Sequence, residues 1–264
     1  MNTSKVIVIT GASSGIGAVL ARELGSRGHR LALAARREEE LKKVAEQSGS
    51  EALAVVTDVK RRQDIENLRD RTIEAFGHVD VWINNAGRGI GKRVMDLTDE
   101  DFDEMFTVNT KSALYGMQAI VPHFMERGAG HLINISSFLG RVPVASVRSA
   151  YSAAKAALNS LTANLRMDLR QEYPGIQISL VMPGIVLTEF AKNALGGTPG
   201  TPPPPGAMKP QTVEEAVAAI VGVVDQPVPE MFTNPALAEI ARRYYEDVGA
   251  FEANFGAPPA GPRS

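Results

Sequence analysis

The chain has 264 residues and no cysteine, so it can bury an extensive core without staples, and thiolate nucleophiles, cysteine-ligated zinc and a disulfide framework are excluded. Its 28 lysines and arginines stand against 30 aspartates and glutamates, a net charge of −2, which argues against a nucleic-acid partner and favours small-molecule chemistry. No stretch reaches the ~18 apolar residues of a membrane span, and the N-terminus lacks the apolar segment of a signal peptide, so we expect no membrane partner and a cytoplasmic location.

Short apolar segments alternate with longer helical patterns along most of the chain, which is typical of βαβ units and a parallel sheet. The predicted strands are residues 6–10, 30–35, 52–57, 79–84, 131–136, 176–182 and 230–233. The predicted helices are residues 15–27, 38–47, 62–76, 100–126, 149–172, 213–224 and 235–248. Several strands are apolar almost throughout, as strands covered on both faces are. The pattern predicts an α/β fold of the Rossmann-like, doubly wound type: a mostly parallel seven-stranded sheet with helices on both faces.

The predicted organisation is a single Rossmann-fold domain over residues 1–255, followed by a proline- and glycine-rich C-terminal tail at 256–264. Residues 189–210 contain a Gly-Gly pair and a run of consecutive prolines, which suit neither a packed helix nor a central strand. We therefore expect a flexible loop at 189–210 that lacks packing partners of its own.

A glycine-rich turn, Thr-Gly-Ala-Ser-Ser-Gly-Ile-Gly at residues 10–17, joins the first predicted strand to the first predicted helix. Glycine suits a tight turn that a pyrophosphate must approach closely, and the helix N-terminus adds unpaired N–H donors and the positive end of the dipole. The turn predicts a dinucleotide site, although a turn of this kind also occurs without a ligand. The candidate cofactor-binding residues are Gly11, Ser13, Ser14, Gly15, Ile16 and Gly17.

The end of the second predicted strand indicates which dinucleotide is bound, because NAD-binding proteins place an acidic side chain there against the ribose hydroxyls. This chain has Ala35 at that position, followed by Arg36 and Arg37. A guanidinium matches a phosphate monoester and stacks on adenine, so Arg36 is the candidate for the 2′-phosphate of NADP, with Arg37 and Ser14 as helpers. The alternative is that both arginines are only the solvated start of a helix. The predicted cofactor is NADP(H), with NAD(H) as the second choice.

Tyr151 and Lys155 are four residues apart in a strongly helical segment, so both side chains project from one helix face. A neighbouring ammonium favours the phenolate, and we expect it to draw the pKa of the tyrosine down toward working pH, where proton exchange is efficient. Ser136 and Ser137 end the preceding strand, where a hydroxyl can donate a hydrogen bond to a substrate oxygen as charge develops. This pattern predicts proton transfer by Tyr151 and requires no metal.

Roughly residues 5–190 resemble the single-domain group of the short-chain dehydrogenases/reductases, because several independent motifs occur in the order of that family. The motifs are residues 10–17, Asp58-Val59, Asn84-Asn85-Ala86-Gly87, Asn109, Ser136-Ser137, Tyr151 with Lys155, and Pro183-Gly184 followed by Thr188.

The resemblance implies roles for the matched residues around the cofactor. Asp58 and Val59 would flank the adenine, unless Asp58 is only a turn former. The run Asn85, Ala86 and Gly87 would support the adenosine ribose and brace the sheet, unless Asn85 is purely structural. The segment that would cover the nicotinamide contains Pro183, Gly184, Ile185, Val186 and Thr188.

The resemblance also implies the catalytic roles. Lys155 would hold the nicotinamide ribose and tune Tyr151, Ser137 would polarise the substrate carbonyl, and Asn109 would hold a water on a proton path unless it only bends a helix. The family commonly places the serine one residue closer to the tyrosine, where this chain has Phe138. Ser137 is nevertheless the preferred candidate, and Ser136 is the alternative.

The sequence therefore predicts an NADP(H)-dependent oxidoreductase that moves a hydride between nicotinamide and a ketone, aldehyde or secondary alcohol, with Tyr151 as general acid and base. The substrate pocket is expected to be mostly apolar and to be walled by Phe138, Leu139, the 140–149 loop, Ile90 and the 190–209 segment. Arg141 and Arg148 are alternative binders of a carboxylate or a phosphopantetheine-bearing substrate. The other functions considered are an acyl-thioester ketoreductase and a non-catalytic NADP(H) sensor. The resemblance implies a homotetramer or homodimer.

Overall fold

The computed structural model describes residues 4–49, 51–145, 147–190, 193–197 and 209–255. Its strands are β1 Val6–Thr10, β2 Arg30–Ala35, β3 Ala52–Val56, β4 Val81–Asn84, β5 Gly130–Ile135, β6 Ile176–Met182 and β7 Glu230–Phe232. Its α-helices are α1 Gly15–Ser26, α2 Glu38–Glu46, α3 Arg62–Phe76, α4 Asp99–Phe106, α5 Ser112–Arg127, α6 Ser149–Leu169, α7 Val213–Asp225, α8 Ala236–Glu246 and α9 Val248–Asn254. Short 3₁₀ turns lie at Val94–Asp96 and Phe138–Gly140, and a π-helical turn lies at Thr107–Lys111.

The described strands form one seven-stranded sheet in the order β3-β2-β1-β4-β5-β6-β7, and each pairing in it is parallel. The predicted α/β doubly wound fold is confirmed, with a sheet that is parallel throughout rather than mostly parallel. The strand order reverses between β1 and β4, and in such sheets a crevice opens at the carboxyl ends of the strands on either side of that point.

Alternate residues of each strand face the two helical layers, as the period of two requires. Ile7 and Ile9 of β1 pack in a cluster with α1, α2 and α7, whereas Val8 packs in a second cluster with α3, α5 and α6. Each fully buried aliphatic side chain of this kind contributes about 1.5–3 kcal/mol relative to an exposed one. The central strands are apolar on both faces because both faces are covered.

The predicted helix over residues 100–126 is interrupted, which corrects that prediction. Helix α4 ends at Phe106, a π-helical turn follows, and α5 begins at Ser112. The side-chain amide of Asn109 donates to the carbonyl oxygens of Met105 at 3.0 Å and Arg88 at 2.9 Å. The side chain thus satisfies the carbonyl of Met105, which a regular helix would pair with a backbone amide, and ties the turn to the segment after β4. Single π turns of this kind are frequent at functional sites.

The C-terminal part of the chain also differs from the prediction, which placed one helix over residues 235–248. Helix α8 ends at Glu246, and Asp247 caps a further helix, α9, by accepting a hydrogen bond from the amide of Ala250 at 2.9 Å. An aspartate at this position ends one helix and starts another because its side chain competes for backbone donors. The predicted tail at 256–264 lies outside the described residues.

The segment predicted as a loop at 189–210 is described only at 189–190, 193–197 and 209–210. Leu195 pairs with Ile90 in a parallel bridge, in which its amide donates to Gly89 at 3.0 Å and its carbonyl accepts from Gly91 at 2.7 Å. Ala194 is buried. This part of the segment therefore has packing partners, contrary to the expectation.

A chain of buried polar side chains connects β4, β5 and α6. The indole of Trp82 donates to Asn84 Oδ1 at 2.8 Å, and Asn84 Nδ2 donates to Asn134 Oδ1 at 2.8 Å and, over 3.3 Å, to the carbonyl of Ala113. Asn134 Nδ2 then donates to Thr162 Oγ1 at 2.9 Å. Because the members satisfy one another, the network fixes how α6 sits on the sheet.

We expect Asn134→Leu to lower the free energy of unfolding by about 1–3 kcal/mol, because Asn84 Nδ2 loses its best acceptor in the protein interior. Urea denaturation of the variant and of the wild type measures the difference. The double variant Asn84→Leu/Asn134→Leu should lose less than the sum of the two single variants, since removal of both partners leaves no orphaned amide. Strict additivity would show that the two amides do not depend on each other.

Candidate active site

A cleft of about 2130 Å³ lies over the carboxyl ends of β1, β2, β4, β5 and β6. It brings together the glycine-rich turn, both arginines after β2, the Asp58-Val59 pair, the 85–87 run, Ser137, Tyr151, Lys155 and the 183–188 segment. Two residues assigned to the site from the sequence, Asn109 and Ile90, are buried behind the wall of the cleft rather than lining it.

Two glycines of the glycine-rich turn, Gly11 and Gly17, are packed so closely that no side chain would fit in their place. Gly11 has φ of +68°, and a Cβ there would lie 2.8 Å from the Cα of Ala86. A Cβ on Gly17 would lie 2.3 Å from the carbonyl oxygen of Gly11. Helix α1 begins directly after Ser14, whose hydroxyl makes no capping bond to it. The N-terminal amides of α1 and the Ser14 hydroxyl are therefore available to an anion.

The two arginines after β2 are placed differently. Arg37 Nη2 donates to the hydroxyl and carbonyl oxygens of Ser13, at 3.1 and 3.4 Å, and so braces the turn. Arg36 lines the cleft beside Ala35, is exposed, and has no hydrogen-bonded or ionic partner within the described part of the chain. Arg36 is thus the guanidinium that remains available to a ligand at the rim.

Two of the predicted cofactor residues also have structural bonds. Asp58 Oδ1 accepts a hydrogen bond from the amide of Lys60 at 3.1 Å, so the carboxylate does form the turn that was considered as an alternative. Asn85 Nδ2 donates to the carbonyls of Thr10 at 2.9 Å and Gly11 at 3.3 Å and holds β4 against the turn. Both residues nevertheless line the cleft, so these structural bonds do not remove them from it.

Helix α6 carries Tyr151 and Lys155 on one face toward the end of β5, and both side chains are largely buried, at 8% and 3% exposed. Lys155 Nζ donates to the carbonyl of Ile135, the last residue of β5, at 2.9 Å. It lies 5.9 Å from the centre of the Tyr151 ring. Ser137 begins the 3₁₀ turn after β5, and its hydroxyl accepts from the amide of Leu139 at 3.2 Å and contacts the Tyr151 side chain.

Burial dominates the protonation of this pair. Burial raises the pKa of the Tyr151 phenol, against smaller opposing effects from the Ser137 hydroxyl and the positive charge of Arg148. Burial lowers the pKa of Lys155 to about 7. The pKa of Tyr151 is thus shifted up, whereas the sequence predicted a shift down. The cost of desolvating the phenolate exceeds its stabilisation by the Ser137 hydroxyl and by the charge of Arg148. The phenol is therefore protonated at neutral pH and is able to donate.

The side chain of Asn109 is buried beside Gly87. Besides its two donor bonds, its Oδ1 accepts from the amide of Arg88 at 3.1 Å. A Cβ on Gly87 would lie 3.0 Å from Asn109 Oδ1 and 3.6 Å from Lys155 Nζ, so both polar atoms face the small space beside this glycine. The side chain of Asn109 holds the π turn, and the space next to it is bordered by two hydrogen-bonding groups.

The two serines after β5 are separated by the structure. The hydroxyl of Ser136 faces α6, where it donates to Asn159 Oδ1 and lies 3.3 Å from the carbonyl oxygen of Lys155. Asn159 Nδ2 in turn donates to the carbonyl of Gly140 at 2.9 Å and so holds the serine turn on α6. The sequence analysis missed Asn159, although its position one helical turn after Lys155 was visible. This geometry favours Ser137, the serine that contacts Tyr151.

The 183–188 segment closes the cleft opposite the glycine-rich turn. It is held by the backbone of Gln211. The backbone amide of Gln211 donates to the carbonyl of Ile185 at 2.8 Å, and its backbone carbonyl accepts from the amide of Leu187 at 3.0 Å. The methyl of Thr188 would lie 3.7 Å from a Cβ on Gly15, so the segment reaches across to the start of α1. Sequence reasoning did not identify Gln211, which is distant in the chain.

One wall of the cleft was not expected from the sequence. Helices α8 and α9 line it, together with the predicted Leu139 and Phe138. The ring of Phe138 packs in a hydrophobic cluster with α8 and with Phe232, at a centroid distance of 6.0 Å. Phe190, from the segment predicted to cover the pocket, packs edge-on against Tyr151 at 5.7 Å. The residues of α8, of α9 and of the junction between them that line this wall are Ile240, Arg243, Glu246, Asp247, Ala250, Phe251 and Asn254.

The two arginines considered for an anionic substrate are separated by the structure. Arg141 forms an ion pair with Glu230 and does not line the cleft, so its assignment as a substrate residue is corrected. Arg148 does line the cleft, and one of its guanidinium nitrogens donates to the carbonyl of Ile90 at 2.9 Å.

Neither a metal site nor a membrane span is found in the described ranges. No group of three or more histidine, aspartate or glutamate side chains there is arranged to hold a metal ion. The described helices are too short or too polar to cross a bilayer.

Comparisons with known proteins agree with the fold and the motifs. The family model for short chain dehydrogenases matches residues 5–196. An uncharacterized oxidoreductase of Staphylococcus epidermidis is 34% identical over 189 residues, which cover 72% of this chain and 81% of that protein.

Two solved structures are also similar. An alcohol dehydrogenase from the archaeon Thermococcus sibiricus, complexed with 5-hydroxy-NADP, is 30% identical with a TM-score of 0.75 and covers 87% of this chain and 96% of its own. A short-chain dehydrogenase/reductase from Burkholderia phymatum, in complex with NAD, is 27% identical with a TM-score of 0.83 and covers 99% of this chain and 98% of its own. Because the family model spans most of the chain, this protein belongs to the short-chain dehydrogenase family and is an oxidoreductase.

Proposed function

We propose that this chain is an NADP(H)-dependent oxidoreductase that interconverts a secondary alcohol and a ketone, or an alcohol and an aldehyde, with Tyr151 as the proton-exchanging group. One observation carries the proposal: a buried, protonated phenol lies beside a serine hydroxyl in the same cleft as an anion-binding helix N-terminus. The cleft thus combines a place for a dinucleotide with a group that exchanges a proton.

The residues present fit a nicotinamide dinucleotide. The glycine-rich turn is closely packed at Gly11 and Gly17, and it offers the N-terminal amides of α1 to a pyrophosphate. NAD-binding proteins have an acidic residue at the end of the second strand, where this chain has Ala35. The next residue, Arg36, presents an exposed guanidinium to the cleft, which favours a 2′-phosphate and therefore NADP(H). The similar structures were solved with 5-hydroxy-NADP and with NAD, so the choice of NADP(H) rests on Arg36. When bound, the nicotinamide supplies or accepts the hydride.

The chain's own residues account for the proton. In the reducing direction Tyr151 Oη donates its proton to the substrate oxygen, and the Ser137 hydroxyl donates a hydrogen bond to the same oxygen as negative charge develops. Lys155, held by the carbonyl of Ile135, stabilises the phenolate that remains. Asn109 and Lys155 border the space beside Gly87, which is suited to a water that returns the proton. Phe190 shields the phenol from bulk water.

The non-catalytic alternative is less well supported. A sensor of NADP(H) requires the glycine-rich turn and Arg36 but has no use for a buried phenol, serine and lysine brought together at the end of β5. No contact in the described residues favours an acyl-thioester substrate. The cytoplasmic location, the single domain and the homotetramer or homodimer stay predictions.

The first test is Tyr151→Phe, which removes one oxygen and keeps the buried ring. We expect kcat to fall by about 10²–10⁴-fold because the proton donor is lost, while NADPH binding is kept. Absorbance of the reduced nicotinamide, followed with a panel of ketones and alcohols, measures turnover. Tyr115→Phe, on α5 where the ring packs under Arg62, is the matched control and should be fully active. Undiminished turnover in Tyr151→Phe would contradict the assignment.

The cofactor preference is tested with Arg36→Ala. Loss of a charge-assisted bond to the 2′-phosphate should weaken NADPH binding by about 10–100-fold and leave NADH binding unchanged. Titration calorimetry with both nucleotides gives the two constants. Arg27→Ala controls for charge, because Arg27 pairs with Glu23 and Asp225 at the other end of α1. An equal loss of affinity for NADPH and for NADH would show that Arg36 does not bind the 2′-phosphate.

The burial of Lys155 predicts a pH dependence of stability. The pKa of Lys155 is about 7 in the folded protein and ~10.4 in the unfolded chain. Between these pH values the unfolded chain binds more protons than the folded protein, so the buried lysine destabilises the fold less as pH rises. Below pH ~7 both states are charged and the penalty is complete. Lys155→Met should therefore be more stable than the wild type by the largest margin below pH 7, and the margin should shrink toward pH 10. Urea denaturation of the ligand-free proteins across this range measures it; a margin that does not change with pH would refute the shift.

A further inference from the structure

We propose that Arg148 binds an anionic group of the substrate, a carboxylate, so that the alcohol or ketone handled by Tyr151 is a hydroxy acid or oxo acid. The inference rests on the proposed function and adds the substrate class, which that function leaves open.

The first argument is the position of Arg148. It flanks the N-terminus of α6 and lies three residues before Tyr151, so both residues face the same side of the helix and line the same cleft. A Cβ on Gly89 would lie 3.2 Å from Arg148 Nη1 and 3.0 Å from the Phe190 ring, and that ring packs on Tyr151. The charge of Arg148 is felt by the Tyr151 phenol. A substrate whose oxygen meets Tyr151 therefore has the guanidinium within its reach.

The second argument is that the guanidinium of Arg148 has no counter-ion among the described residues. There its side chain makes one hydrogen bond, from Nη1 to the carbonyl of Ile90, which engages one of the five N–H donors of a guanidinium. It is half-buried among Ile90, Ala194 and Phe190. A partly buried cation without an anion is costly, and a carboxylate from a ligand would offset that cost with two parallel hydrogen bonds.

The third argument comes from the other charged groups of the cleft, several of which already have partners. Arg88 pairs with Glu104, and Arg37 donates to Ser13. On the opposite wall Glu246 pairs with Arg242, and Asp247 caps α9. Arg36 lies at the cofactor rim. Lys155 already donates to the carbonyl of Ile135, and Arg243 lies on the α8 wall. Arg148 is the arginine whose charge acts on Tyr151, and it is therefore the candidate for the substrate.

The reaction balances without further reactants. In the oxidising direction Tyr151 first releases its phenol proton to water. The carbon bearing the hydroxyl then loses a hydride to the oxidised cofactor, and the Tyr151 phenolate accepts the hydroxyl proton. A hydroxy acid and NADP⁺ give an oxo acid, NADPH and a proton. The carboxylate bound by Arg148 keeps its charge and bonds throughout, so Arg148 selects and orients the substrate.

The experiment compares acids with their neutral methyl esters. The probes are 2-hydroxybutanoate, 3-hydroxybutanoate and 4-hydroxypentanoate, which place the carboxylate at increasing distances from the reacting carbon, each with its ester and with NADP⁺. We expect the wild type to prefer at least one acid over its ester in kcat/KM. Arg148→Gln should reduce that acid-to-ester ratio by about 10–100-fold, mainly through KM of the acid, because one charge-assisted pair is lost. Arg148→Lys should restore part of it.

The matched control is Arg141→Gln, which removes an arginine of the neighbouring loop that pairs with Glu230 outside the cleft. It should leave the acid-to-ester ratio unchanged. If Arg148 only fastens the Ile90 carbonyl to α6, Arg148→Gln will slow acid and ester equally, which overturns the proposal. A wild type that turns over the esters as well as or better than every acid also overturns it and leaves the proposed function intact.

A binding measurement separates this inference from the proposed function. Butanoate and butanamide are titrated calorimetrically into the wild type and into Arg148→Gln, each saturated with NADP⁺. Preferential binding of butanoate that is lost in the variant supports the anionic subsite even if none of the alcohols is oxidised, a result that would count against the proposed function alone. Equal binding of butanoate and butanamide by the wild type would reject the subsite.

Discussion

The arrangement of this protein depends on the way helix α6 is fastened to the carboxyl end of β5. The helix meets the strand through side chains on one face: Lys155 donates to the carbonyl of Ile135, Asn159 accepts from Ser136, and Thr162 accepts from Asn134. A Cβ on Gly140 would lie 2.8 Å from the backbone of Lys155, so the turn after β5 lies directly on the helix. These contacts fix the relative positions of Ser137, on the turn, and Tyr151, on the helix.

The cost of this arrangement is electrostatic. A lysine and a phenol are held out of water, and burial lowers the pKa of the lysine and raises the pKa of the phenol, so that the neutral form of each is favoured. The sheet tolerates the cost because its central strands are covered on both faces and the surrounding polar groups are paired. Sites that break the rule of burying only apolar side chains are often the sites of function, and the rest of the fold supplies the stability.

Much of the fold followed from the sequence because its rules are local. Strands β1, β2 and β6 have the predicted bounds, since each is a short apolar segment between turn formers. The parts that were not predicted depend on distant contacts. The π turn at Asn109 exists because the side chain reaches Arg88, and α9 begins where Asp247 caps it against an aromatic cluster. The roles of Ser136, Asn159 and Gln211 are likewise set by partners distant in the chain. The direction of the Tyr151 pKa shift required knowledge of how deeply the ring is buried.

The outer wall of the cleft has a further consequence. Helices α8 and α9 follow residue 196, where the match to the family model ends, whereas Ser137, Tyr151 and Lys155 lie within it. The stretch of chain that forms the proposed reaction centre is thus separate from the stretch that forms this wall. Changes after β7 can reshape what enters the cleft without disturbing the α6–β5 contacts. This separation makes the roughly thirty residues after β7 a natural segment for exchange between relatives, in nature or by design, with the proposed reaction centre left in place.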